Sequence, residues 1–299
     1  MFKITLAGEL TTLYNFCEQP SCSDGDNPSG ALVQGANNEY YGAVGGGGAS
    51  LYGGIFKLTS TGKLSIIYSF CPLPTKCTDG IGPVGIVAGP DGNFYGATRF
   101  GGAAANKGTL FKITSSGELT ALHRFCTDPG GDGACPDGAY PYAAPALGSD
   151  GYYFGMTEGW NGPSSIYAVT PSRQFKVLYA WRSGGGGSAG MVQGTDGLFY
   201  GTTLDDGANS LGTVFSFDVR LGSFVKAEPS GGHVGTGVEV MGTNLAGATS
   251  VTFDGTPATF TVVSPSEITT SVPINAMTGR IKVTLPGSTL TSNLPFVIQ

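Results

Sequence analysis

A ten-residue segment recurs four times within the first 220 residues, and it constrains the fold more than any other feature of the sequence. Its clearest copy spans 194–203, where a Gly-Thr-Asp-Gly turn leads into Leu-Phe-Tyr-Gly-Thr-Thr. The other copies begin at Gly35, Gly89 and Gly148. Units that repeat in this way bury their apolar faces against their neighbours, so we expect the four copies to stack on one another.

Each repeat contains four short runs in which apolar and polar residues alternate, which is the period of a β-strand. Run A carries an aromatic anchor, run B follows a Thr-Gly or Ser-Gly turn, run C is a short apolar stretch, and run D is the Phe-Tyr-Gly segment. Four antiparallel strands in about 50 residues are typical of propeller blades. We therefore predict an all-β chain whose residues 1–221 form a propeller-like domain of four four-stranded repeats.

Two details of the runs lead to further expectations. A glycine in the middle of each run D, such as Gly96, indicates a close backbone approach or a bulge. Run A occurs five times and the other runs four times; its anchors stand at positions 2, 56, 111, 167 and 215. Whether the blades are grouped as A-B-C-D or as B-C-D-A, one terminal run A remains without a blade. We predict that this strand pairs with a sheet of a neighbouring molecule. The alternatives are that it widens a sheet of its own chain or belongs to a longer array.

The six cysteines form three local pairs in the first 135 residues: Cys17 and Cys22, Cys71 and Cys77, and Cys126 and Cys135. Each pair follows the Phe that ends run B. The fourth repeat has Trp181 at that place and has lost both cysteines together. Joint loss is expected of bonded partners, so we predict three disulfides within repeats. A zinc site would need further ligands, and the only histidines are His123 and His233.

The disulfides and the charge bound the location and the partners. Disulfides form in oxidising compartments, which favours an extracellular or cell-surface location. We expect an export signal that lies outside this sequence and has been removed. The formal net charge is −6 and Lys and Arg form no cluster, so nucleic acid is not an expected partner. No apolar run approaches the roughly 20 residues that span a bilayer, so we expect no membrane insertion.

Several motifs of the repeat region recur in order and carry a family resemblance. They are Asp-Gly-Asn-Phe-Tyr-Gly-Ala-Thr at 91–98, Gly-Thr-Leu-Phe-Lys-Ile-Thr at 108–114, Ser-Ser-Gly-Glu-Leu-Thr at 115–120 and Cys-Thr-Asp-Gly at 77–80. Together they resemble the GloVer tandem repeat, found in large exported, surface-anchored bacterial proteins. The resemblance covers residues 1 to about 220. It implies propeller-like arrays, export and a surface role, and it implies no catalytic residues.

The composition changes after residue 221, because residues 222–299 contain no Cys, Trp or Tyr and are rich in Val and Thr. They indicate about seven short strands, of which six are clear: 237–242, 250–253, 258–262, 267–272, 279–284 and 294–297. Gly-Thr-Asn-Leu at 242–245, Val-Thr-Phe-Asp-Gly-Thr-Pro-Ala at 251–258 and Val-Pro at 272–273 resemble an IPT/TIG domain. This resemblance implies an immunoglobulin-like β-sandwich that serves as a spacer or interaction module.

The recurrent Asp-Gly pairs admit two interpretations. Oxygen-rich loops bind Ca²⁺, and 24–27 (Asp-Gly-Asp-Asn) is the strongest candidate for such a site. Turn geometry alone also explains Asp-Gly pairs, and no copy has a spaced run of acidic residues. We favour the turn and expect no cofactor.

Four residues outside the turns are candidates for binding or catalysis. Trp160, in a Gly-rich loop between runs D and A, is the candidate ligand-binding residue, because exposed aromatics stack on sugar rings; the alternative is packing over a sheet edge. His123 stands where the other repeats have Tyr, so we expect a packing aromatic instead of a catalytic base. Glu158 and Asp205, which follow runs D, are the candidates for a glycosidase-like carboxylate pair.

The sequence as a whole favours a non-enzymatic, extracellular structural or adhesive protein of a bacterial surface or matrix assembly. Its expected partners are copies of itself or other surface proteins. No nucleophile elbow, phosphate-binding loop or two-His metal motif is present in the sequence. The alternative functions are a carbohydrate-binding module that uses Trp160 and neighbouring loop aromatics on a polysaccharide, and a polysaccharide-active enzyme.

Overall fold

The computed structural model describes residues 1–5, 7–35, 39–73, 76–102, 106–127, 134–159, 163–181, 186–187 and 189–299. They form β-strands, turns and two short 3-10 segments, Pro20–Cys22 and Leu245–Gly247. The chain divides into two compact units. The first comprises Met1–Ala146, Tyr153–Met191 and Gly201–Val214, and the second comprises Leu147–Tyr152, Val192–Tyr200 and Phe215–Gln299.

The repeat region begins with a hairpin and continues with four sheets. The hairpin consists of β1 (Phe2–Ile4) and β2 (Leu10–Thr12). Sheet 1 contains β3 (Asp26–Gln34), β4 (Tyr40–Gly46), β5 (Gly54–Leu58) and β6 (Leu64–Ser69). Sheet 2 contains β7 (Ile81–Ala88), β8 (Phe94–Phe100), β9 (Thr109–Ile113) and β10 (Leu119–Arg124). Sheet 3 contains β11 (Ala146–Leu147), β12 (Tyr153–Met156), β13 (Ser165–Val169) and β14 (Phe175–Ala180), and sheet 4 contains β15 (Val192–Gln193), β16 (Phe199–Thr203) and β17 (Thr213–Phe217).

Each four-stranded sheet consists of runs C, D, A and B in that order, so both groupings expected from the sequence are wrong. Short connections join C to D, D to A and A to B, and strands joined by short connections usually pair. The longer connection from B to C, which carries the cysteines, passes to the next sheet. Consequently the hairpin β1–β2 is an A–B pair, and sheet 4 consists of C, D and A.

The glycine in the middle of run D makes room for an aromatic ring on the neighbouring run A. Gly42 lies opposite Phe56, Gly96 opposite Phe111, and Gly155 opposite Tyr167. A Cβ atom placed on any of these glycines would overlap the ring of the opposite residue. The close approach expected here is therefore mainly that of a side chain. It explains how the ring can lie flat across the sheet and be fully buried.

The same rings of run A contact the sheet that precedes them. Phe16, at the end of the first run B, packs on Phe56 with the ring centroids 5.4 Å apart. The corresponding separations are 5.2 Å for Phe70 and Phe111 and 5.6 Å for Phe125 and Tyr167, and all three pairs are edge-to-face. Such pairs contribute about 0.5–1.5 kcal/mol beyond the area that they bury. One aromatic contact thus repeats between successive sheets.

Close backbone approach occurs on run C, and also at Gly96 in run D, where a Cβ atom would lie 2.5 Å from the carbonyl oxygen of Gly85. A Cβ atom on Gly30 would lie 2.8 Å from the Cα atom of Gly85 in the next sheet, and both glycines have positive φ. The hydroxyl of Ser29 donates a hydrogen bond of 2.7 Å to the carbonyl of Pro83. Gly85 in turn lies against Ala144, ahead of sheet 3. Only residues without a bulky side chain fit where the runs C meet.

The C-terminal strands form a two-sheet sandwich. They are β18 (Val225–Glu228), β19 (Gly231–Gly232), β20 (Gly237–Gly242), β21 (Ser250–Phe253), β22 (Thr256–Ala258), β23 (Phe260–Ser264), β24 (Glu267–Ser271), β25 (Gly279–Leu285) and β26 (Ser288–Ile298). One sheet has the order β18-β20-β24-β23 and the other β19-β26-β25-β21-β22. Their inner faces bury one apolar core that includes Val240, Phe253, Ile268, Ile281 and Phe296. The prediction of an all-β chain with several four-stranded sheets and a C-terminal immunoglobulin-like sandwich is confirmed, although the fourth repeat forms a three-stranded sheet.

The glycine–ring contact predicts a position-specific effect within one strand. Gly42→Ala should lower the free energy of unfolding by about 1–3 kcal/mol, because the new methyl group occupies the space of the Phe56 ring. Gly45→Ala, three residues further along β4, is the matched control, since its Cβ would meet no atom closer than 3.4 Å. Denaturant unfolding followed by Trp and Tyr fluorescence measures the repeat region alone, because residues 222–299 contain neither residue. Equal losses for the two variants would contradict the contact.

Candidate functional site

The same polar corner closes the disulfide loop in each of the first three repeats. A carboxylate two residues after the second cysteine accepts a hydrogen bond from a run B side chain. The pairs are Tyr14 Oη and Asp24 at 2.7 Å, Tyr68 Oη and Asp79 at 2.8 Å, and His123 Nε2 and Asp137 at 2.8 Å. We call these three sites the aspartate corners.

The second and third aspartate corners also hold the first cysteine of the disulfide, whereas the N–H of Cys17 donates to the carbonyl of Gly25 at 3.0 Å. The structure contains the three predicted disulfides, Cys17–Cys22, Cys71–Cys77 and Cys126–Cys135. The backbone N–H groups of Cys71 and Cys126 donate to Asp79 and Asp137 at 3.0 Å. The first cysteine of each pair has φ between 55° and 62°, a left-handed conformation that a non-glycine residue adopts only when its surroundings fix it. Hydrogen bond and disulfide together fix it here.

The first corner keeps its proton on the tyrosine. Burial and the hydrogen bond to Asp24 raise the pKa of Tyr14 to about 12. Burial alone would raise the pKa of Asp24, but hydrogen bonds from Tyr14 and from the N–H groups of Glu18 and Gln19 hold it below its ordinary value. The carboxylate is therefore ionised near neutral pH, and three protein donors bind it. The carboxylate therefore holds the disulfide loop in place.

His123 is packed between aromatic rings, as expected from its place in the repeat. Its ring stacks on Phe175 of the next sheet with the centroids 3.7 Å apart and the planes 4° apart, and it meets Phe125 edge-on. Its Nε2 lies 2.8 Å from the carboxylate of Asp137, which accepts the hydrogen bond. His233, in the sandwich, hydrogen-bonds through Nδ1 to the carbonyl of Gln299.

The Asp-Gly turns between runs C and D also bind protein donors. Asp91 accepts from Tyr95 Oη at 2.9 Å and pairs with Lys112 at 2.7 Å. Burial alone would raise the pKa of Asp91, but these contacts lower it to about 2. In the candidate metal loop, Asp26 accepts from the side chain of Asn27 at 2.7 Å. The described residues contain no group of three or more His, Cys, Asp or Glu side chains positioned to hold a metal ion.

The two carboxylates suggested for hydrolysis, Glu158 and Asp205, do not occupy equivalent positions in their repeats. Glu158 follows β12 and pairs with Arg99 Nη2 at 2.9 Å. The bridges Pro141–Thr157 and Gly187–Thr203 make Leu204 the equivalent of Glu158, so Asp205 lies one residue further along. Asp205 is exposed. Trp160 lies outside the residues that the structure describes.

Arg99 belongs to a cluster that the sequence did not reveal. Its guanidinium carbon lies 4.5 Å from the ring centroid of Tyr142 and 5.6 Å from that of Phe100. Nearby, Lys107 Nζ donates to Tyr140 Oη at 2.7 Å and lies 4.5 Å from the centroid of the same ring. These side chains come from the ends of sheets 2 and 3, and the contacts arise from strand register, which spacing along the chain does not give.

Comparison with known families decides the assignment of the repeat. The model of the Gloeobacter/Verrucomicrobia repeat matches residues 74–259, more than half of the chain. The chain belongs to the Gloeobacter/Verrucomicrobia repeat family. This is the family that the sequence motifs indicate, and sheets 2, 3 and 4 lie within the matched residues.

A second family model, that of the IPT/TIG domain, matches residues 223–298 of this Gloeobacter/Verrucomicrobia repeat protein. The two matches overlap over 223–259. Strand pairing separates them, because β17 ends at Phe217 and pairs in sheet 4, whereas β18 begins at Val225 and pairs with β20 of the sandwich. No curated protein matches the chain. Among the described residues, no helix is long and apolar enough to cross a membrane.

The aspartate corners predict a coupled loss of stability in this repeat protein. Asp79→Ala should lower the free energy of unfolding by about 2–4 kcal/mol, since Tyr68 Oη and the N–H of Cys71 both lose a charged acceptor. Tyr68→Phe removes only the first bond and should cost less. The double variant should cost less than the sum of the two single changes, because both act on one contact. A change below about 0.5 kcal/mol for Asp79→Ala would show that the corner does not brace the loop.

Proposed function

We propose that this chain is a non-catalytic structural or adhesive protein of a bacterial surface or matrix assembly, located outside the cytoplasm. The repeat family and the IPT/TIG domain support this role, because both are consistent with surface or adhesive proteins. The three disulfides support an oxidising environment. The carboxylates of the aspartate corners support a structural use, since protein donors bind them.

The proposal rests chiefly on an exposed apolar face of the N-terminal hairpin. Phe2, Ile4 and Leu10 share one face, because Ile4 lies opposite Leu10 and alternate residues point the same way. They are 61%, 61% and 59% exposed. In sheet 1 the run A residues equivalent to Phe2 and Ile4 are Phe56 and Leu58, and both are buried. An apolar face of this kind is expected to be covered by another protein surface.

Sheet 4 offers a complementary edge. β17 is the last strand in the order β15-β16-β17, where sheets 1 to 3 continue with a run B. Val214 in β17 is 80% exposed. We propose that β1 of one molecule pairs with the edge of β17 in another, so that an A–B hairpin extends a C-D-A sheet. Donor and acceptor surfaces differ, so the contact is heterologous and builds filaments unless it closes into a ring.

Charged substitutions on the two edges test this assembly. Phe2→Lys with Ile4→Lys blocks the donor, and Val214→Lys blocks the acceptor. Each variant should sediment as a smaller species than the unmodified protein, and an equimolar mixture of the two should form a 1:1 complex, because one intact donor meets one intact acceptor. Lys3→Glu, on the opposite face of β1, is the matched control and should assemble like the unmodified protein.

Two outcomes would reject the assembly. The first is an unmodified protein that stays monomeric throughout a dilution series in analytical ultracentrifugation. The second is a mixture of the blocked variants that forms no complex, which would show that the contact is not between unlike edges.

A further inference from the structure

We propose that a surface formed by Arg99, Phe100, Lys107, Tyr140, Tyr142 and Glu158 binds an anionic oligosaccharide. We call this surface the aromatic patch. It lies in the first compact unit, where the ends of runs D and the starts of runs C in sheets 2 and 3 come together. The bridge between Pro141 and Thr157 places Tyr140 and Tyr142 on either side of the strand contact.

The aromatic patch departs from the repeat that contains it. The residues after run D are Arg99 and Phe100 in sheet 2, whereas sheet 1 has Gly45 and Gly46 at those positions. Phe100 ends β8 and is 38% exposed. The fold of the repeat therefore does not require a cation and an aromatic ring here, because two glycines serve in the neighbouring sheet.

Tyr140 shows the departure most clearly, because its backbone is unfavourable for its residue type. The prolines 28, 83 and 141 occupy equivalent places opposite run D, and the residue before each has positive φ. In the first two repeats that residue is Asn27 or Gly82, types that tolerate the left-handed region. Tyr140 has φ of 55° at the same place. A bulky residue kept in a strained conformation points to a use for its side chain.

The neighbours of Tyr140 hold it in this conformation. Its N–H donates to the carbonyl of Lys107 at 2.8 Å, and its own carbonyl accepts from the N–H of Glu158 at 3.1 Å. Its ring meets that of Phe100 edge-to-face at 5.4 Å, and Lys107 Nζ binds its hydroxyl. The patch is thus fixed before any ligand arrives, which lowers the entropy lost on binding.

The chemistry of the patch fits a sugar. The apolar face of a pyranose ring stacks on an exposed aromatic ring, for which Phe100 is available. The Arg99–Glu158 ion pair lies beside that ring and presents both donors and acceptors, and adjacent hydroxyl groups of a sugar can bind to both. The guanidinium carbon of Arg99 also lies 4.5 Å from the ring centroid of Tyr142.

The charge of the patch selects an acidic sugar. Arg99 and Glu158 neutralise each other, and the Nζ of Lys107 is bound to a phenol instead of a carboxylate. The patch therefore carries one net positive charge on a chain whose formal net charge is −6. A carboxylate on the ligand would pair with Lys107, which binds the hydroxyl of the Tyr140 ring that meets Phe100.

Titration calorimetry with a galacturonate hexamer tests the proposal, with the fully methyl-esterified hexamer as the neutral control ligand. The unmodified protein should bind the acidic hexamer at least tenfold more tightly than the ester. Phe100→Ala should weaken binding of the acidic hexamer about tenfold, in line with the loss of one stacking contact. Lys107→Gln should remove the preference for the acid while it retains weak binding of both ligands.

Tyr152→Ala, which removes an exposed aromatic outside the patch, is the control variant and should bind like the unmodified protein. Thermal unfolding of each variant shows whether the fold is kept, which matters most for Lys107→Gln because it also removes the hydrogen bond from Nζ to Tyr140 Oη. The proposal is overturned if the unmodified protein binds neither the galacturonate hexamer nor a mannuronate hexamer. Equal binding by Phe100→Ala, or equal affinity for acid and ester, also overturns it.

Discussion

The repeat region depends on one contact, in which an aromatic ring of run A lies between a glycine of its own sheet and an aromatic ring of the preceding sheet. Phe111 shows it: Gly96 leaves the space across the sheet, and Phe70 packs from the sheet before. Neither the glycine nor the preceding sheet's ring is sufficient alone, because a twisted sheet of four strands cannot bury the run A ring by itself. The contact therefore makes each sheet depend on its neighbour, and the aspartate corners fix the connections that lead from one sheet to the next.

Much of this could be predicted from the sequence because it follows from local pattern. Period-two alternation located the runs, the joint loss at Trp181 indicated the disulfide partners, and five strands of the sandwich were located within two residues, whereas the last, predicted at 294–297, begins at Ser288. The order of runs within a sheet could not be predicted, since alternation does not say which connection passes to the next sheet. The aromatic patch was missed for a related reason: Phe100 and Tyr140 are 40 positions apart and meet only through register.

The structural and functional proposals rest on the same comparison between repeats. Where equivalent positions agree, as at Asp24 and Asp79, the residue serves the fold. Where equivalent positions differ, as at Tyr140, which replaces Asn27 and Gly82 of the first two repeats, the fold leaves the side chain available for a ligand. The exposed hairpin follows the same logic, because Phe2 has the residue type of run A without the burial that the other sheets provide. A repeat protein built in this way can combine self-assembly and binding, as proposed above, without altering the repeated core.

The central claim is that ring contacts between successive sheets hold the repeat region together, and a double-mutant cycle between Phe70 and Phe111 measures this most directly. We predict that the changes Phe70→Leu and Phe111→Leu are coupled by about 0.5–1.5 kcal/mol in the free energy of unfolding. The pair Phe70→Leu and Leu58→Val should be closer to additive, because Leu58 belongs to a separate core cluster around Phe56 and pairs with Leu64 at the end of sheet 1 remote from Phe70. Strict additivity of the Phe70 and Phe111 changes would contradict the account.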